Sequence, residues 1–514
     1  MENRKEKKSW LNNAIMFMFA LILLVVLLSV IGSVLNWQGT YSELNTVTGN
    51  TETTLVEVVS LFSREGARYL VGNVLTTFMT FTPLVMFLFT TIGIRFAEKV
   101  GLFQAIFGNK KRKIKKSVLT FIIVLLSIIS TIVGDIGFVS VIPLAAIIFL
   151  ANNRNPIIGI IASFVGMTAG YGVNLFITQM DYNLLETSNL SSHLIDKSYN
   201  VLINGNLIFG IVSTILLSIL ITFITEKFTT KKAKKYRIDE ILEEEPLSKD
   251  SKKGLKYAGI FAFISLLFFI YMLIPGLPLS GMLLDLKETA YVDQLFGANS
   301  YFQDGFTYLV AVFFATTGIA YGIGAKTIKS DKDLMDKLGE KLSSLGMILV
   351  MIFFASQFIS IFKETNIGTV IVIWLTNLIK ALPLSGVLLI IVATILIAIA
   401  NIFVPGSVAK WTIISPTLVP MMMQLNMSPQ YSQFIFRAGE SITNGITPLL
   451  AYFVVYIAYL NIYNKDNGKS FSIKQGISLM TPYFIAFTIT WIFIVLLWYL
   501  VGLPLGPNVY PTLQ

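Results

Sequence analysis

Two apolar stretches of this chain are interrupted in the same way, and a helix interrupted inside a membrane can be built in only a few ways. The first stretch reads GDIGFVSVIPLAAIIFLANNRNP over 134–156, and the second PGSVAKWTIISPTLVPMMMQLNMSP over 405–429. In both, a polar, glycine-containing break is followed by a proline (Pro143, Pro416), an apolar run, and a second proline after the same interval (Pro156, Pro429). Ionisable residues accompany them: Asp135 in the first break, Arg437 and Glu440 just beyond the second stretch. A charge at membrane depth costs roughly 3 kcal/mol on insertion scales, so such a residue is rarely kept without a use. Paired broken helices in corresponding halves point to a carrier whose site lies near the bilayer midplane.

The membrane itself follows from composition. Of 514 residues, 54% are hydrophobic and 13% charged, too apolar for a soluble multidomain chain of this length. Runs long enough to span, which takes about 20 helical residues, lie near 11–34, 70–97, 117–150, 157–180, 201–225, 256–277, 303–325, 340–380, 383–404, 411–427, 434–462 and 477–502, several too long or too broken to be single helices. The net charge of +10 does not indicate nucleic acid, because the basic residues cluster beside the spans, at 1–8, 110–116, 226–256 and 326–337. By the positive-inside rule these segments and the N-terminus are cytoplasmic, and 35–69 and 278–302 lie outside. The first run resembles a signal sequence but has no convincing small-residue cleavage site, so it reads as a retained helix. The mixed-charge stretch 231–253 divides the chain in two and reads as an amphipathic cytoplasmic helix.

Several function classes fall on the same evidence. With no cysteine there are no disulfides and no thiolate metal sites. The single histidine, His193, stands in a polar connection, which argues against a catalytic imidazole. A nucleotide-driven pump needs a phosphate-cradling G-x-x-x-x-G-K-[ST] loop, and no such motif is present. An intramembrane hydrolase would be left with an aspartyl pair alone. A channel stays open as a reading, because re-entrant loops also build filters.

Each freed backbone N–H or C=O in lipid costs several kcal/mol unless protein or a water-filled cavity satisfies it, so the breaks belong inside the bundle. Around the first break stand Thr131, Gly134, Asp135, Gly137 and Ser140, with helix expected over 117–132 and 141–150. Around the second stand Asn401, Pro405, Gly406 and Ser407, with helix over 385–402 and 408–423. Each is expected to be a re-entrant hairpin. A further apolar segment follows each closing proline and meets its own polar interruption, at 167–174 (ending in Asn174) and 437–445, where glycines let the backbone unwind.

Plainer readings compete with functional ones. Asp135 could cap a returning helix at a water interface, and Asp181 could be an ordinary helix-end residue. Arg437 and Glu440, three apart, could be a structural ion pair. Lys410 is expected to snorkel to the interface, and a belt residue is the plainer reading of the neighbouring Trp411.

The strings VPGSVAKWTIISPTLVPMMMQLNMSPQYSQFIFRAGESITNGITP, STIVGDIGFVSVIP, YGVNLFITQMD, FAEKVGLF and WYLVGLPLGPNVYP resemble the p-aminobenzoyl-glutamate transporter (AbgT) family, from about Phe81 to the C-terminus. The resemblance implies an all-α polytopic membrane protein, and the Lys- and Ile-rich composition points to a bacterial source and hence to the inner membrane. About nine transmembrane helices and two re-entrant hairpins would form an inverted repeat, divided into scaffold and transport core, in a homodimer. On this plan 1–116 is N-terminal scaffold, 117–180 the first hairpin and broken helix, and 181–337 scaffold with the cytoplasmic linker 226–256; 338–382 is scaffold, 383–462 the second hairpin and broken helix, and 463–514 the C-terminal helix and tail. It implies ion-coupled secondary transport of p-aminobenzoyl-glutamate or the related p-aminobenzoate, with sulfonamide efflux as the alternative, and no cofactor besides Na+ or H+ as coupling ion.

Carried over by position, the family's aspartate falls on Asp181, its tryptophan on Trp411, its prolines on Pro429 and Pro448, its arginine on Arg437, its following acidic residue on Glu440, and its sodium-associated asparagine on Asn401. Two departures stand out. Glu440 replaces the usual aspartate, and the usual S-G-S run is Gly406-Ser407-Val408, without a hydroxyl three residues before Trp411. The chemistry suits an aromatic carboxylate: Arg437 offers paired donors, Trp411 a ring to stack on, and helix N-termini at the tips partial positive charge. Asp135 and Glu440 would take the cation or a proton, with Asn401 and Glu440 as the sodium ligands, and Asp181 would accept from the substrate's amine. Ser407 and Asn174 complete the expected site.

Overall fold

A computed structural model describes residues 14–44, 51–107, 114–233, 247–342, 346–464 and 471–513. The longer helices are α1 (Ala14–Val34), α2 (Thr82–Lys99), α3 (Lys116–Ile129), α4 (Gly137–Ala151), α5 (Pro156–Gly170), α6 (Gln179–Ser192), α7 (Leu207–Ile224) and α8 (Lys249–Tyr271). In the second half follow α9 (Phe302–Gly324), α10 (Gly346–Glu364), α11 (Ile367–Ala381), α12 (Gly386–Phe403), α13 (Ser407–Gln424), α14 (Pro429–Thr443), α15 (Phe453–Tyr463) and α16 (Ile473–Val501). Seven helical stretches among the described residues are long and apolar enough to cross a bilayer, and the pair Ile348–Glu364 and Ile367–Ala381, bent by 52°, makes an eighth. The protein is a multi-pass membrane protein. The stretch 231–253, expected as an amphipathic helix, lies largely outside the described residues.

The first break reverses the chain. A straight helix from Lys116 to Arg154 would be about 57 Å long at 1.5 Å per residue, yet Arg154 Nη1 donates to the Lys116 carbonyl at 2.8 Å. The reversal occurs at Val133 and Gly134, and Gly134 takes φ +69°, ψ −130°, a conformation that favours glycine. Arg154 then locks the open end, pairing with Glu226 at 2.6 Å and bonding Thr120 Oγ1 at 2.8 Å. The second break is an extended tip of Val404, Pro405 and Gly406 between α12 and α13. In each half the next helix, α5 or α14, packs against both arms of its hairpin, and every residue of α5 and α14 is buried. Aromatic stacking binds α15 into the first half: Phe138 on Tyr452 at 4.9 Å and Phe164 on Tyr456 at 4.3 Å between centroids. The C-terminal tail is stitched down, with Ser428 N bonding Pro511 O and Phe209 N bonding Leu505 O.

Three expectations change. The fold is not wholly helical: β1 (Gln38–Leu44) and β2 (Thr51–Glu57) form an antiparallel pair within the segment expected outside. Trp374 and Asn377 on α11 bond the β1 carbonyls of Gln38 and Thr40, so the pair packs along the side of that helix. The run at 70–97 is not one helix but two short helices at Arg64–Gly72 and Val74–Met79 followed by α2. Gly439 also does not unwind its helix. It lies in the middle of α14, where an added Cβ would stand 2.7 Å from Ile397 Cγ2 and 2.9 Å from the Thr394 carbonyl. Its role is close approach to α12, and the break begins only after Thr443.

That contact predicts a contrast between two glycines. Gly439→Val lowers stability by about 1–3 kcal/mol through overpacking, read as a lower melting temperature in detergent. Gly259→Ala in α8, where nothing lies within 4 Å of the added Cβ, raises stability by about 0.4–1 kcal/mol.

Candidate functional site

Both hairpin tips open onto one cavity of about 540 Å³, within the range of small-molecule sites. The first tip contributes Thr131, Gly134 and Asp135, and the second contributes 403–409, Ser407 among them. Its two charged residues are Asp135 and Lys363. Tyr171, Tyr452, Phe362 and Phe403 supply aromatic wall, and Gln179, Asn183 and Gln303 supply amides.

Asp135 is held by hydroxyls. Tyr171 donates its hydroxyl to Asp135 Oδ1, and among the described residues no basic side chain pairs with this carboxylate. Opposite it, α13 starts at Ser407 with Gly406 as N-cap and no side-chain cap. Among the described residues the opening N–H groups of α13 have no side-chain cap at a cavity lined by Ser407, Val408 and Ala409, the arrangement that binds anions at helix N-termini.

The other expected residues lie behind this cavity, in buried contacts. Arg437, buried in α14, donates to Asp181 Oδ1. It also reaches the Tyr171 carbonyl through Nε and Nη2 at 3.3 Å. Asp181 doubles as the third helical residue of α6, accepting from Thr178 N and Oγ1 at 2.7 Å in a capping box. Arg437 and Asp181 line only a void of about 20 Å³, room for a single water. In this conformation, then, the guanidinium faces its own carboxylate rather than the large cavity. The competing reading that paired Arg437 with Glu440 also gives way, since each has a different partner.

Glu440's partner is Lys410. The ammonium lies 2.6 Å from Glu440 Oε1, 2.6 Å from Asn401 Oδ1 and 2.9 Å from the Val404 carbonyl. Lys410 is fully buried, contrary to the expectation that it snorkels to an interface: one turn into α13, its stem points back along the hairpin toward α12 and α14. Asn401 is committed as well, its Nδ2 donating to Glu440 O, Thr443 Oγ1 and Asn444 Oδ1. The expected sodium set of Asn401 and Glu440 does not fit a free ion here, because a lysine ammonium already lies against Asn401 Oδ1 and Glu440 Oε1 and leaves only Glu440 Oε2 over.

Trp411 is not a belt residue and does not line the cavity. Fully buried, it donates from Nε1 to Ser188 Oγ at 2.9 Å and packs on Phe436 at 4.7 Å, which joins α13 to α6 and α14. Pro429 opens α14 behind the N-cap Ser428, and Pro448 lies in the break after α14. Asn174 donates to the Ile128 carbonyl at 2.9 Å and Thr131 Oγ1 at 3.1 Å, closing the first break from behind. Of the nominated residues, Asp135 and Ser407 face the cavity and the rest brace it.

Tyr171 went without a role in the sequence reading, yet it joins the two layers: its hydroxyl holds Asp135 and its carbonyl holds Arg437. The signal was present, a lone phenol in the glycine-rich interruption Gly170-Tyr171-Gly172. Lys363 and Gln303 carried none, because their meeting with the tips depends on how α10 and α9 pack.

Buried helices, two hairpin tips facing one cavity and two ion pairs buried behind them are an arrangement suited to a membrane transporter. The chain belongs to the AbgT putative transporter family, whose match covers residues 8–513. It is similar to the p-aminobenzoyl-glutamate transport protein of Escherichia coli (strain K12), with 29% identity over 464 residues, 90% of this chain and 89% of the relative. Among solved structures it matches the Alcanivorax borkumensis YdaH transporter, at 27% identity over 96% of this chain and all of that one, with a TM-score of 0.47. It also matches Neisseria gonorrhoeae MtrF, described with a class of antimetabolite efflux pumps, at 29% identity over 97% of this chain and 98% of that one, with a TM-score of 0.47.

Removing one member of a buried ion pair strands the other. Glu440→Ala is therefore expected to cost about 3–5 kcal/mol, and adding Lys410→Met is expected to recover most of the loss, by thermal unfolding in detergent. Equal destabilisation in the single and double variants would show that the pair does not act as a unit.

Proposed function

We propose that this transporter moves p-aminobenzoyl-glutamate, or a related aromatic carboxylate such as p-aminobenzoate, across the bacterial inner membrane, driven by a cation gradient. The observation that carries the proposal is the shared cavity: one tip offers Asp135, the other an uncapped helix N-terminus, and aromatic rings line the space between. A substrate with a carboxylate at one end and an aromatic amine at the other matches that polarity. The carboxylate meets the N–H groups of α13, with Lys363 as the cavity's cation. The ring packs between Tyr171 and Tyr452, and the amine points to Asp135. The Escherichia coli relative, a p-aminobenzoyl-glutamate transport protein, supports the substrate class.

Asp135 is also the group proposed to take up the coupling cation or proton. A carboxylate beside hydroxyls and without a basic partner needs one positive charge before the core can cross the membrane. Arg437 and Trp411 enter the substrate's path only in another state, when Asp181 and Ser188 release them. The hairpins are taken as re-entrant parts of an inverted repeat, in a core that moves against a scaffold by alternating access. About nine spans, a homodimer and a cytoplasmic N-terminus complete the proposal, with core and scaffold divided as the sequence analysis places them.

The test is flux in proteoliposomes with radiolabelled p-aminobenzoyl-glutamate and a labelled sulfonamide, imposing sodium and pH gradients separately. Saturable, gradient-dependent uptake of p-aminobenzoyl-glutamate is expected, whereas sulfonamide and p-aminobenzoate movement outward alone would assign efflux, and current without a gradient requirement a channel. Asp135→Asn is expected to cut gradient-driven flux at least tenfold while the protein stays folded. Arg437→Ala is expected to abolish flux, and unchanged transport by either variant contradicts its role.

A further inference from the structure

The oxygens gathered around Lys410 are those a hard cation would choose: a carboxylate, an amide and a backbone carbonyl. We propose that the Lys410 ammonium is a built-in cation that fills the Asn401–Glu440 set and excludes sodium from it. Nζ donates to Asn401 Oδ1 at 2.6 Å and to the Val404 carbonyl at 2.9 Å and is ion-paired with Glu440 Oε1 at 2.6 Å, while neither Glu440 oxygen has a hydrogen-bond partner among the described residues. Lys410 and Glu440 are both fully buried, so the cluster is a closed interior device and not a surface ion pair.

The other half of the chain shows what the position holds without it. Carrying over the offset between the paired prolines, Lys410 corresponds to Gly137 and Glu440 to Met167. Gly137 lies close against Met167 Sδ and Ser130 Oγ, a contact of the same two elements with no charge on either. The first half closes this contact with a glycine and a thioether, the second with a salt bridge. At the same offset Asn401 corresponds to Ile128, so the first half lacks the amide oxygen as well as both charges.

The consequence is mechanical as well as chemical. Through three oxygens Lys410 joins α12 (Asn401), the tip (Val404) and α14 (Glu440). A mobile ion at this place would let the tip loosen whenever it departed, and a tethered one cannot depart. The second tip is thus held against α14 whatever the sodium concentration, and an ion that drives transport acts elsewhere. This inference concerns sodium binding at one cluster and is read without transport, so it holds or fails independently of the substrate assignment.

The experiment is thermal unfolding of the full-length protein in detergent, titrating sodium chloride against choline chloride at constant ionic strength. The wild-type protein is expected to show no sodium-specific shift that Glu440→Gln removes. Lys410→Met, which vacates the oxygens, is expected to gain a saturable, sodium-specific rise in melting temperature, and Lys410→Met with Glu440→Gln is expected to lose it. If Lys410→Met is recovered folded only when purified in sodium, that recovery is the same result; failure to recover it in sodium overturns the proposal. So does a saturable sodium-specific shift in the wild-type protein that Glu440→Gln removes, or an equal shift in the single and double variants.

Discussion

Everything in this structure answers to one constraint: a helix broken inside a membrane frees backbone groups that lipid cannot satisfy. The two halves answer it alike. In the first, Asn174 bonds the Ile128 carbonyl and Thr131 bonds the Gly170 carbonyl. In the second, Asn401 bonds the Glu440 carbonyl, Thr443 that of Ala398, and Thr447 that of Ile402. Asparagine and threonine side chains thus cross between a hairpin arm and the interrupted helix behind it, each break repairing the other. Because the repairs consume the rear of each break, the tips are left facing forward, and the cavity forms where they face.

Charge follows the same division. Behind the tips, positive and negative groups come in pairs, Arg437 with Asp181 and Lys410 with Glu440. Such pairs gain little net stability over an apolar substitute, but losing one partner is severe, which makes them suited to holding geometry. In front, Asp135 keeps a carboxylate facing the cavity with hydroxyl company. Tyr171 ties the layers together, so a change at Asp135 is one residue away from the Arg437 guanidinium.

Much of this was legible in the sequence because it is written locally. The breaks at Gly134 and at Pro405-Gly406, the prolines that open α5 and α14, and the spans are all matters of composition and spacing within one segment. What was not legible depends on partners distant in the chain. Arg437 looked as if it pointed at a substrate or at Glu440, three residues away, yet it meets Asp181 across the bundle. Lys410 looked like an interface residue because it stands beside a tryptophan, and only the folded hairpin shows that its stem turns inward. Gly439 resembled a hinge, but its value lies in α12 coming within touching distance. The β1–β2 pair escaped notice because its support is the edge of α11.

Convergence of the two tips on one substrate cavity is the claim on which the rest depends. The chain has no native cysteine, so single cysteines at Thr131 and at Val408, one from each tip, can be labelled with a membrane-impermeant maleimide in the presence and absence of saturating p-aminobenzoyl-glutamate. A cysteine at the exposed Ser198 serves as control. The account predicts that substrate slows labelling at both tip positions and leaves the control unchanged. Protection at one tip alone, or at neither while transport persists, would contradict it.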